Sequence, residues 1–184
     1  MTAPVLLEVA DGVAVVTLNR PDCANAIDVA LARALHDALE AVRCDTTVRA
    51  AVLRGEGAIF CAGGDVREMA AADDRSAYME TLVSAAHRAA RTLAAVDVPV
   101  VAAVQGAAAG AGLGLAAACD VVVAGRSARF LAAFGAVGLT PDTGTSWYLP
   151  RVVGVRRALD LLVNGRRLSA EEALAWGLVT AVVD

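Results

Sequence analysis

Two glycine-bearing segments have the composition needed to hold a developing negative charge with the main chain alone. They are Phe60-Cys-Ala-Gly-Gly-Asp65 and Gly106-Ala-Ala-Ala-Gly-Ala-Gly-Leu-Gly114. Glycine lets the backbone approach a ligand closely, and two preorganised N–H donors can stabilise an oxyanion without any side chain. Taken singly, each segment also reads as plain structure, Gly63-Gly64 as a turn and Gly110–Gly114 as tight helix packing. Asp142, in Thr140-Pro-Asp-Thr-Gly144, is a carboxylate in a turn and on its own reads as the cap of a helix beginning near Thr143. His87 is a candidate acid or base, or a partly exposed histidine on a helix face with Arg88 and Arg91 nearby. His36, beside Asp37, reads as surface. Asp65 has no second carboxylate or histidine at ligand spacing, so no metal site is expected and Asp65 reads as a helix cap bracing its loop. Arg20, Arg67 and Arg151 could meet phosphates, or could be solvated charges and loop ion pairs.

The elements that would position these residues alternate between strand and helix. Val5–Val9 and Val13–Leu18 are β-rich runs around Asp11-Gly12, a hairpin signal. Asn19–Ala26 is turn-rich, and Asp28 can cap a helix whose apolar positions Val29, Leu31, Leu35, Leu39 and Val42 recur at helical spacing. Val48–Leu53 is a strand, Gly55–Asp65 a loop, and a helical region runs through Val96 to the strand Val100–Val104. Gly106–Gly114 leads into a small-residue helix, followed by strands at Val121–Val123 and Arg129–Leu131. From Thr143 the pattern is mostly helical, with Ser169-Ala-Glu-Glu172 a capping box. Leu178–Val183 reads as a last strand that ends abruptly, as in a short or truncated version of something larger. The pattern predicts an α/β fold in one domain over residues 1–184.

Composition narrows the function classes. The chain has 184 residues, 58% hydrophobic and 20% charged, with a net charge of −4. No block of like charge supports a nucleic-acid or anionic-membrane surface, which leaves a small molecule or another subunit as partner. Pro99, Gln105 and the glycines at 106, 110, 112 and 114 interrupt the apolar stretch Val98–Ala118, so it does not read as a membrane span. Cys23, Cys44, Cys61 and Cys119 show no C-x-x-C spacing, and Met1–Ala10 has no signal-peptide pattern, so a cytoplasmic protein with reduced thiols is expected.

Three segments together resemble the crotonase (enoyl-CoA hydratase/isomerase) superfamily: Asn19-Arg-Pro21 with Asn25-Ala-Ile27, Phe60–Asp65, and Gly106–Gly114 followed by Cys119-Asp120. Phe134, Gly138-Leu-Thr-Pro-Asp142 and Leu149-Pro-Arg151 join them in order, and the resemblance runs from about Val5 to the end. It implies a crotonase-type spiral of repeated ββα units. The C-terminal helices that assemble trimers in that family are missing here, and the resemblance implies a homo-oligomer, a trimer or dimer of trimers.

The resemblance also implies a chemistry. The substrate would be an acyl-CoA thioester, with no cofactor beyond the coenzyme A that the substrate carries. The oxyanion donors would be the N–H groups of Gly64 and Ala111, with Ala62 and Gly63 shaping the loop and a helix starting near Ala111 adding its positive end. Ala24, Ala62, Gly63, Gly64, Asp65, Met69, Gly110, Ala111 and Phe134 would contact substrate, with Leu82 and Val83 also setting the acyl pocket. The two glutamates of the family's hydratases match Gly114 and Phe134, neither of which is an acid or a base. Asp142 matches an aspartate of the ring-epoxide isomerases of phenylacetate degradation and of Δ3,Δ2-enoyl-CoA isomerases. His87 matches a histidine of 4-chlorobenzoyl-CoA dehalogenases. The implied function is an enoyl-CoA isomerase with Asp142 as its single base. The alternatives are a nucleophilic-aspartate hydrolase using Asp142 and His87, a hydratase with non-standard residues, or a non-catalytic acyl-CoA-binding protein.

Overall fold

A computed structural model gives the structure of residues 3–184, so the first two residues of the Met1–Ala10 stretch lie outside the described residues. Asp11 and Gly12 have φ of +53° and +80°, the paired positive values of a type I′ turn. They join β1 (Val5–Ala10) to β2 (Val13–Leu18) in an antiparallel hairpin registered Val5↔Leu18. Helix α1 (Val29–Cys44) starts where the Asp28 side chain accepts from the Leu31 N–H at 2.7 Å. It buries Leu31, Leu35, Ala38, Leu39 and Val42 on one face.

The chain continues through β3 (Ala50–Gly55), α2 (Val66–Ala71), α3 (Arg75–Ala94), β4 (Val100–Val104), β5 (Ala107–Ala109) and α4 (Ala111–Ala118). Then come β6 (Val121–Gly125), β7 (Arg129–Leu131), α5 (Thr145–Val153), α6 (Val155–Asn164), β8 (Arg167–Ser169), α7 (Ala170–Trp176) and β9 (Ala181–Val183). One sheet runs β1-β2-β3-β4-β6-β9 and is parallel from β2 onward. A smaller sheet runs β5-β7-β8. The α/β expectation is met, and the repeat is visible in where each strand goes. β4 and β6 enter the large sheet and their followers β5 and β7 the small one. After β3, the segment around Cys61 takes the equivalent place, bridging Ala108 in parallel.

The stretch after Thr143 is mostly helical, as its sequence suggests, but it also holds a strand that the sequence does not announce. β8 is only three residues long and pairs antiparallel with β7, from Arg129↔Ser169 to Leu131↔Arg167, too short to show periodicity. The expected capping box is present, with the Glu172 N–H donating to Ser169 Oγ at 3.1 Å and the Ser169 N–H to Glu172 Oε2 at 2.9 Å. One continuous core joins the layers, with Leu18, Leu31, Leu53, Phe60, Leu113 and Phe130 fully buried. Among the described residues no helix is long and apolar enough to cross a membrane.

Candidate active site

The turn-rich segment 19–28 is a structural lock. Arg20 pairs with Asp65 at 3.1 Å and with Asp28 at 3.2 Å, and its Nη1 also donates to the Ala26 carbonyl at 2.6 Å. Fully buried Asn25 accepts from the Arg20 N–H and donates to the carbonyls of Glu56 and Ile59. Arg20 is therefore an internal tie.

This lock holds the segment 61–65 between two neighbours. On one side, the Cys61 N–H donates to Ala107 O at 3.1 Å and the Ala109 N–H to Cys61 O at 2.9 Å. On the other, the Ile27 N–H donates to Gly63 O at 2.7 Å and the Asp65 N–H to Ile27 O at 2.9 Å. Ile27 bonds to the residues flanking Gly64, so the Gly64 N–H faces away from Ile27, as the alternation of a parallel bridge requires. Ala111, the first residue of α4, has the free N–H of a helix start. Neither N–H has a hydrogen-bond acceptor among the described residues. Gly110, at φ +51° and ψ −121°, takes a conformation open to glycine. A Cβ on Gly112 would stand 2.5 Å from Cys61 O and 2.7 Å from Cys61 Cβ, so only glycine lets α4 come this close to the loop. Cys61 itself is structural. Its thiol is buried, donates to Asn25 O at 3.3 Å, and is pushed up to about 12 by burial, which keeps it protonated.

Gly64 and Ala111 border a cavity of about 810 Å³, the size of a small-molecule site. All nine residues expected to contact substrate border it: Ala24, Ala62, Gly63, Gly64, Asp65, Met69, Gly110, Ala111 and Phe134. Leu82 and Val83 of α3 add to its apolar wall. Asp142 also borders it, half-buried. Its Oδ1 accepts from the Thr143 hydroxyl at 2.8 Å, and no cation pairs with it among the described residues. It does not cap α5, whose N-cap is Gly144 with no side-chain hydrogen bond. Asp65 differs: it caps α2 through the N–H groups of Arg67 and Glu68 and is paired with Arg20. A further carboxylate, Asp22, is exposed at the rim.

Several expectations are corrected. His87 does not reach this cavity. It is exposed and lines a separate groove with Glu40, Arg43, Arg88 and Arg91, because the turn of α3 sends Leu82, Val83 and Ala86 toward the cavity instead. His36 is not a free surface group, since its Nδ1 lies 2.8 Å from Thr92 Oγ1 and links α1 to α3. Arg151 lies over the Trp147 ring, 3.3 Å from its centroid. Arg67 alone of the three arginines borders the cavity. Sequence reasoning missed Leu162–Gly165 and Arg167, which close another side; the unrecognised strand β8 is what brings them there.

The geometry agrees with comparisons to known proteins. The family model for enoyl-CoA hydratase/isomerase matches residues 8–184. The chain is 41% identical to the 1,2-epoxyphenylacetyl-CoA isomerase of Escherichia coli over 98% of its length and 70% of that protein's. It is 39% identical to a 4-chlorobenzoyl coenzyme A dehalogenase of an Arthrobacter species over 96% of its length and 64% of that protein's. The crystal structure of an enoyl-CoA hydratase from Bacillus anthracis superposes with a TM-score of 0.92 at 34% identity, covering 98% of this chain and 70% of that one. The fold, the two glycine-bearing segments at one cavity and these matches agree: the chain belongs to the enoyl-CoA hydratase/isomerase family.

Proposed function

We propose that the chain binds an acyl-CoA thioester and isomerises an enoyl group, moving a double bond from the 3- to the 2-position. The thioester oxygen sits between the N–H groups of Gly64 and Ala111, where preorganised donors favour the enolate over the ground-state carbonyl. Asp142 takes a proton from C2 and returns it at C4, and the dienolate is held between the two steps. The observation that carries this reading is the state of Asp142. It is the half-buried carboxylate of the cavity with neither a cation nor a helix terminus to hold it, whereas Asp65 has both.

Hydration is disfavoured because positions 114 and 134 hold glycine and phenylalanine, so both carboxylates with which the family's hydratases place a water are absent from those positions. The nucleophilic reading draws on the similarity to the dehalogenase, but it needs a base for the second step, and His87 opens onto another groove. A homo-oligomer belongs to the same proposal, supported by exposed apolar side chains on α5 and α6 such as Trp147 and Val163. So does a cytoplasmic setting, supported by four free thiols. The deciding assay gives the protein a 3-enoyl-CoA and a 2-enoyl-CoA in turn: conversion of the first with no hydration of the second supports isomerisation. Hydration of the second without conversion of the first would refute it.

A further inference from the structure

Arg167 is a guanidinium with no carboxylate partner among the described residues, set in the wall of the cavity. It stands opposite Leu131 across the β7–β8 pair, and Leu131 stands opposite Ala109 across β5–β7. Residues directly opposite in neighbouring strands project to the same face. Leu131 and Arg167 accordingly both border the cavity, while the alternate pair Phe130 and Leu168 is fully buried on the other face. The Gly110 N–H donates to Leu131 O at 3.0 Å, so a continuous row leads from the start of α4 through Leu131 to Arg167. With strands about 4.8 Å apart, the Arg167 Cα is roughly 10 Å from that of Ala109. An acyl chain of several carbons spans that distance.

The groups around Arg167 leave it free. Its neighbour Arg166 is engaged by Asp160 at 3.3 Å and Glu172 at 2.9 Å. The Asn164 amide is turned to Asp160 at 2.8 Å. Arg67, the other cation of the cavity, follows the segment 61–65. Across the row of segment 61–65, β5, β7 and β8, the two arginines therefore stand at opposite ends. Between them the wall is apolar, built by Leu131, Phe134 and Leu139.

We propose that Arg167 is a specificity-determining residue that selects an acyl group ending in a carboxylate. This rests on the reading above, in which the thioester carbonyl lies at Gly64 and Ala111; the chain then runs along Leu131 with its far end at Arg167. A guanidinium binds a carboxylate through two parallel hydrogen bonds, and a methyl terminus gains nothing there. Because Arg167 is exposed, solvent moderates the effect, and a preference of roughly 5- to 30-fold is expected.

The test is calorimetric titration with two acyl-CoAs of equal carbon number, one ending in a carboxylate and one in a methyl group. The wild-type chain should bind the first more tightly by that factor, Arg167→Ala should bring the ratio near one, and Arg167→Glu should reverse it. Equal wild-type affinities, or a preference that survives Arg167→Glu, would remove Arg167 from substrate selection while leaving the thioester reading intact. Binding of neither compound would overturn both.

Discussion

Gly114 and Thr145 approach so closely that a Cβ on the glycine would lie 2.5 Å from Thr145 Oγ1, and 2.7 Å from the Thr143 carbonyl. Position 114 is thus occupied by the turn that carries Asp142 into the cavity, and the Thr145 hydroxyl is buried without a hydrogen-bond partner. Family hydratases have a glutamate where this chain has Gly114. Here the absence of that carboxylate and the presence of the Asp142 turn are one packing arrangement.

Gly114→Ala should therefore be destabilising despite alanine's better helix propensity, because a backbone carbonyl cannot swing aside. Overpacking of this kind costs about 1–3 kcal/mol, so the thermal midpoint should fall by roughly 3–10 °C. Circular dichroism melting checks this; an unchanged or raised midpoint would mean that the turn has room to move.

The Arg20 ion pairs give a second stability test. Asp65 has only 7% of its side chain exposed, and Arg20→Ala leaves it without its cation. Breaking such a buried pair is costly, and with Arg20 18% exposed a loss of about 2–4 kcal/mol in urea unfolding is expected. Were Arg20 held for substrate phosphates instead, the variant would keep its stability and lose only affinity.

Much of this was legible in the sequence, and the exceptions share a cause. Asp11-Gly12, the Asp28 cap and the Ser169 capping box are local signals, and each has the geometry its residues imply. The residues bordering the cavity on the Gly64 and Ala111 side were legible through resemblance. β8 was not: Arg167-Leu-Ser169 is a strand only because β7, some forty residues earlier in sequence, offers it an edge. Missing β8 hid Arg167. His87 misled because the helical pattern of α3 does not fix which flank meets the cavity and which the groove beside α1.

Association in solution is expected from α6. Val155, Leu159 and Val163 recur every four residues on one face and are 62%, 52% and 75% exposed, an apolar stripe of the kind that marks an interface. Sedimentation should report a species larger than a monomer, and Leu159→Glu should shift it toward the monomer. A wild-type chain that stays monomeric at high concentration would contradict this.

Ala111→Pro offers a selective test of the backbone donors. Proline is well tolerated at the first position of a helix, where its missing N–H leaves no intrahelical bond unmade. The fold should persist while turnover falls by roughly 10²–10³-fold, the usual effect of removing one oxyanion donor. Retained turnover in the folded variant would show that the Ala111 N–H is not a donor to the reacting oxygen.

Isomerisation by Asp142→Asn is the most direct measurement. Asparagine keeps the size of the side chain and removes the base, so steady-state conversion of a 3-enoyl-CoA to its 2-enoyl isomer should drop by roughly 10²–10⁴-fold. Affinity for the thioester should stay within a few-fold of wild type, since the carbonyl remains between the Gly64 and Ala111 N–H groups. Isomerisation at the wild-type rate by the asparagine variant would contradict the assignment of Asp142 as the base.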